Sequence, residues 1–146
     1  MNNKEKVKYI LSNYRKARAK GHNLIIASKS EYSIQAKTAV GGGGQTGRSD
    51  SEQEKYISRK EDDREKGQAL LELSESVRLS VESLPQKERI VVELKHFEKL
   101  TENEISRKDK INRTARQVRR IERNAIELLS DYGLSMIYEE IKEILA

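Results

Sequence analysis

Residues 84–130, LPQKERIVVELKHFEKLTENEISRKDKINRTARQVRRIERNAIELLS, decide how this chain is read. Three helices are predicted in them, the last two joined by a tight turn. Thr114 stands three residues before Gln117, the spacing of a capping box at a helix start. Asn112 is a rival cap two residues earlier, and nothing from there to Leu129 breaks a helix. At roughly 100° per residue about Val118, the residues Ala115, Val118, Ile121, Ala125, Leu128 and Leu129 share one half. Arg113, Arg116, Arg119, Arg120 and Arg123 share the other, and only Glu122 breaks that run. The first half can pack on a core, and the second is a strip of guanidinium groups. A guanidinium can clamp a phosphate as a fork or pair with O6 and N7 of guanine in the major groove. A charged surface face can also be merely solvated, but such faces ordinarily mix signs.

The preceding residues fit that arrangement. Pro85 suits a first helical turn, where its missing N–H is not needed, and Ile90, Val91, Leu94 and Phe97 follow at helical spacing. Thr101 and Glu104 make a second capping box, opening a short helix that carries Ile105. Ile111 in the following turn can plug the angle between helices. Burying each large side chain of such a three-helix core stabilises it by about 1.5–3 kcal/mol. Together with Thr114 and Gln117 at the start of the third helix, the five arginines are the candidate DNA contacts. Lys95 and Lys99 are expected to hold phosphates beside helix N-termini.

These residues resemble region 4 of bacterial sigma factors and the phage regulators built on it. The family's opening Leu-Pro and Glu-Arg are matched by Leu84, Pro85, Glu88 and Arg89. Its Leu-Arg-Tyr-Phe-like segment is matched by Leu94, Lys95, His96 and Phe97, and its Leu-Thr-x-x-Glu-Ile by Leu100, Thr101, Glu104 and Ile105. Its Val-Arg-Arg-Ile-x-x-x-Ala is matched by Val118, Arg119, Arg120, Ile121 and Ala125. Two departures touch the turn: Lys110 stands where the family has glycine, and two extra residues separate Ile111 from Val118. The resemblance covers about a third of the chain. It implies a sigma region 4-like helix-turn-helix; with the long preceding helix and the flanking N- and C-terminal amphipathic helices read from the rest of the chain, an all-α fold is expected. In length and layout the chain is similar to small phage late-gene activators of the ArpU and RinA type.

The rest of the chain is charged and modest in core. Of 146 residues, 36% are charged and 35% apolar, with no Trp and one Phe, so helical cores of Leu, Ile and Val are expected. Cysteine is absent, which excludes disulfides and thiolate metal sites and suits a reducing cytoplasm. No apolar run approaches a membrane span, and the N-terminus has no signal-peptide core. A soluble, cytoplasmic protein is expected. The net charge of +5 is unevenly spread. Residues 1–48 hold ten basic and two acidic groups, residues 49–83 six and ten, residues 84–130 twelve and eight, and residues 131–146 one and four. Two basic blocks separated by an acidic one suggest two surfaces near nucleic acid and a spacer facing away.

Taken in order, residues 1–40 form a basic N-terminal segment. Residues 4–20 read as an amphipathic helix, with Val7, Ile10, Leu11, Tyr14 and Ala17 on one side and Gly21 as its stop. It could contact phosphates, or it could dock its apolar side with lysines left in water. Residues 23–40 are ambiguous. Residues 41–50, GGGGQTGRSD, read as a flexible linker by composition. Gly42 to Ser49 also approaches a P-loop pattern, but Arg48 replaces its lysine and no parallel-sheet pattern surrounds it. Residues 51–83 read as one long helix weakened at Gly67, in which only Tyr56 and Ile57 of the charged first half offer burial. Its second half carries a seam, Leu70, Leu73, Val77, Val81 and Leu84, that wants a partner helix from either end of the chain or another subunit. Gly133 ends the recognition helix. Residues 131–146 hold a last amphipathic helix, capped by Ser135, that can pack within the chain or form a homodimer.

No constellation supports catalysis or a cofactor. His22 and His96 lack partners at ligand spacing, and His96 reads as a surface residue. The leading expectation is a sequence-specific DNA-binding transcription regulator, an activator of phage or mobile-element genes. One alternative is a DNA-recognition subunit for phage packaging. Another is a protein that binds RNA polymerase without touching DNA.

Overall fold

Asn13 divides what the apolar period predicts as a single helix. The computed structural model describes residues 1–41, 50–109 and 111–146, and every regular element among them is helical. Helix α1 (Asn3–Ser12) is capped by Asn2, whose side chain accepts from the Glu5 N–H at 2.8 Å. The Asn13 side-chain amide then donates to the Tyr9 carbonyl at 2.8 Å, competing with the helical ladder. Helix α2 (Tyr14–Gly41) begins at once, runs through Gly21 instead of stopping there, and takes in residues 23–40. Helix α3 spans Asp50–Glu82 without a break at Gly67. Of the expected linker, residues 42–49 lie outside the described residues, and the P-loop-like pattern lies there with them.

The chain divides into two units: Met1–Ala17 with Leu73–Ala146, and Arg18–Glu72. The first unit holds two cores. In the larger, Val7, Ile10, Leu11 and Tyr14 meet Leu73, Val77, Val81 and Leu84, with Leu129, Tyr138 and Ile141 closing it. The seam of α3 is thus covered from both ends of its own chain. The smaller core joins Val91, Ile105, Ile111, Val118 and Ile121. It is built by α4 (Gln86–Val92), which continues as a π-helical turn (Glu93–Phe97), by α5 (Glu102–Ser106) and by α6 (Ala115–Asp131). Ile111 is buried as the expected plug. A bond from the Asn124 amide to the buried Glu88 carboxylate, 3.0 Å, ties α6 to α4.

Both capping boxes form. The Thr101 hydroxyl accepts the Glu104 N–H at 3.2 Å, and the Glu104 carboxylate accepts the Thr101 N–H at 3.4 Å. At α6 the corresponding distances for Thr114 and Gln117 are 3.2 and 3.0 Å. Asn112 does not cap. It turns the chain at φ 46°, in the left-handed region that asparagine enters more readily than most residues. Lys110 lies outside the described residues. Gly133, at φ 88°, ends α6 as expected. Ser135 is not a cap: a 3-10 turn (Leu134–Ile137) leads directly into α7 (Tyr138–Leu145). Among the described residues no helix is long and apolar enough to cross a membrane.

In the second unit the two helical glycines face each other. A Cβ on Gly21 would lie 2.9 Å from the Gly67 carbonyl oxygen, and one on Gly67 would lie 2.8 Å from that of Gly21. Neither glycine interrupts its helix; together they let two backbones meet where any side chain would clash. Lys60 is buried, with Nζ 3.4 Å from the carbonyl oxygens of both Ala27 and Ser28. Its removal from water pushes the ammonium pKa down, against the pull of Asp63. Ile57, expected to be buried, is exposed, while Tyr56 is half-buried beneath the Lys60 ammonium.

Candidate nucleic-acid interface

Helix α6 has two chemically distinct faces. Val118, Ile121, Ala125, Ile126 and Leu129 are buried. Arg113, just before the helix, and Arg116, Arg119, Arg120 and Arg123 along it are all exposed. The last four line one shallow hollow of about 270 Å³. Among the described residues Arg113, Arg116, Arg120 and Arg123 have no acidic partner. Arg119 does: its Nε lies 3.1 Å from a Glu102 oxygen. Thr114 and Gln117 are exposed at the helix start, where each holds the other's backbone N–H.

Glu122 is not part of the exposed strip. It lies one turn beyond Val118, hence on the inward side, and it is buried. The Lys95 ammonium donates to it and also to Glu102, the latter at 3.0 Å. His96 Nε2 lies 3.2 Å from the other Glu122 oxygen. His96 is therefore buried, not the surface residue expected. Both Lys95 and His96 come from the π-helical turn, closed by the Glu98 N–H on the Glu93 carbonyl at 2.9 Å. Burial raises the Glu122 pKa, but the bonds from His96 and Lys95 outweigh it and hold the carboxyl below its ordinary value. Burial likewise opposes the Lys95 charge, yet Glu122 and Glu102 lift its pKa above the ordinary lysine value.

Lys99 is also engaged inside the protein. Its ammonium donates to the Ser12 carbonyl at 2.7 Å, a group exposed where α1 ends. Arg15 answers in the other direction, donating to the Phe97 carbonyl at 3.0 Å, while Tyr14 stacks on Phe97 with centroids 4.3 Å apart. The two lysines expected at phosphates thus already have protein partners. The arginines of the strip, Arg119 apart, have no acidic partner among the described residues. Sequence reasoning misses the pairing of Lys95 and His96 with Glu122, whose one local signal is the four-residue step from Val118. Among the described residues no group of three His, Cys, Asp or Glu is arranged to hold a metal ion. No protein-family model matches the chain, and no curated protein or solved structure is significantly similar to it.

Proposed function

We propose that the chain is a sequence-specific double-stranded DNA-binding transcription regulator. In this reading α5 and α6 act as a helix-turn-helix like that of sigma region 4, and α6 is the recognition helix. One observation carries it. Arg116, Arg120 and Arg123, with Arg113 just ahead of them, have no acidic partner among the described residues, and they line the outer side of a helix whose inner face is committed to a core. Such a face is rigidly presented, and its planar donors suit both phosphate and guanine edges. Residues near the start of a recognition helix reach base edges, and later ones meet the backbone. Arg116 is therefore assigned to base reading and Arg123 to phosphate. Activation of phage or mobile-element promoters through contact with RNA polymerase is the extension that the resemblance supplies.

The test compares two variants on duplexes selected from random DNA and on scrambled duplexes, at several salt concentrations. Arg116→Ala should cost about 1–3 kcal/mol on the selected duplex and relax specificity at one or two base pairs. Arg123→Ala should weaken both duplexes alike and lower the salt slope by roughly one. Equal losses for both variants on both duplexes would reduce the strip to a phosphate surface. No loss for either would remove α6 from DNA and favour a protein partner.

A further inference from the structure

We propose that α1 supplies a second row of phosphate contacts, in which Lys4 and Lys8 grip the DNA backbone beside the groove that α6 enters. This rests on the DNA-binding reading of α6. Lys4 and Lys8 are four residues apart, so they stand one above the other on the same helical face. Both are exposed, and neither has an acidic partner among the described residues. They line a hollow of about 240 Å³ together with Arg119 and Arg123, so the two helices present their cations to one space. Two carboxylates, Glu102 and Glu122, border that hollow. Both are already bonded to Lys95, with Arg119 on the first and His96 on the second. The positive charge of Lys4, Lys8 and Arg123 is therefore left over.

The position of that charge is fixed by packing. Val7, Ile10 and Leu11, on the adjoining face of α1, are fully buried in the larger core. The lysine stems then rise from an anchored helix and need only order their own side chains on binding. A lysine ammonium is a point charge that meets a phosphate without reading a base. The contribution is affinity and register along the duplex, not choice of sequence.

The same helix offers its own control. Lys6 lies on the opposite side of α1, over the Tyr138 ring, and Lys142 approaches the same ring. The full chain carrying Lys4→Ala with Lys8→Ala is compared with Lys6→Ala plus Lys142→Ala, which loses equal charge. Both are titrated with the selected and scrambled duplexes. The Lys4 and Lys8 variant should reduce the slope of log affinity against log salt by roughly 1.8, at about 0.9 for each phosphate no longer neutralised. Its affinity deficit should shrink about twelvefold between about 50 and 200 mM salt, and its preference for the selected duplex should not change. The control pair should keep the parent slope. Equal slope changes in both double variants would overturn the proposal, since total charge alone would then explain the loss. An unaltered slope in the Lys4 and Lys8 variant, with selectivity still lost in Arg116→Ala, would remove α1 and leave α6 as the reader. A full chain that binds neither duplex would remove both.

Discussion

On the outer face of α6, Arg116, Arg120 and Arg123 have no acidic partner among the described residues; along its inner edge, His96 and Arg119 each meet one carboxylate and Lys95 meets two. The two rows are close together and built from the same kinds of group. What separates them is whether a protein carboxylate neutralises the charge. A cation without one keeps its full attraction for a polyanion. A cation with one has already lost much of that attraction, and its partner becomes costly to remove. Glu122 and Glu102 therefore set the boundary between the side chains engaged within the protein and the outward arginines of α6.

The largest expected effect tests that boundary directly. Glu122→Ala leaves His96 without its partner and Lys95 with Glu102 alone in a half-dry site, and should destabilise the fold by about 1–3 kcal/mol. Arg123→Ala, on the next residue but facing outward, should change stability by no more than about 0.5 kcal/mol. Urea unfolding of the two variants measures both. Equal costs would erase the distinction between the rows.

The pH dependence sharpens the same point. The Glu122 pKa is lowered in the fold, so its contribution is complete above the ordinary carboxylate value and is lost as pH falls through the folded value. The Lys95 pKa is raised, so its contribution is complete below the ordinary lysine value and is lost as pH rises through the folded value. The network should stabilise the protein across the neutral range and fade at both extremes. Unfolding measured against pH should show both limbs in the parent chain and flatter limbs in Glu122→Ala. Parallel curves would mean that other groups set the pH dependence.

The caps come next. Thr101→Ala and Thr114→Ala each leave N–H groups at a helix start without a partner, at a cost of about 0.5–2 kcal/mol. Thermal melting would show it. Loss of the Thr114 cap should also blunt selectivity more than loss of the Thr101 cap, because Thr114 anchors the turn that carries Arg116. If the two variants discriminate duplexes equally well, the start of α6 does not read bases.

The two rows also explain which parts of the molecule are legible in the sequence. The arginine face, both capping boxes and the Leu73, Val77, Val81 and Leu84 seam follow from spacings of three or four residues, and Ile111 from its place in the turn; these the chain carries locally. Asn13 is invisible to such spacings, because its side chain bonds back to the Tyr9 carbonyl at the end of α1 without disturbing the apolar period. Gly21 reads locally as a helix stop and Gly67 as a weak point in a helix, yet the two meet in a contact across 46 residues of sequence. Lys99 has its partner 87 residues away, and Glu122 has His96 26 residues away. No local pattern encodes such pairs. Residue type suggests that Glu122 faces outward, while its step from Val118 points inward, and the step is the better guide.

Arg119 stands between the rows, and its expected effects are the smallest. Its side chain is 58% exposed and that of Glu102 is 29% exposed, so their bond works in water and against side-chain entropy. A double-mutant cycle on Arg119 and Glu102 should give a coupling of about 0.2–1 kcal/mol in stability. The consequence for DNA is opposite in sign. A carboxylate holding Arg119 competes with phosphate for the same guanidinium, so Arg119→Ala should weaken binding less than Arg120→Ala. Glu102→Gln removes that competitor while keeping the side chain's size, and should tighten binding to selected and scrambled duplexes alike, most strongly at low salt. The same change made together with Arg119→Ala should lose most of that gain, because Lys95 keeps Glu122 and the freed guanidinium is the main source. If Glu102→Gln tightens binding equally in both backgrounds, the carboxylate acts on DNA only by general repulsion, and Arg119 belongs wholly to the structural row.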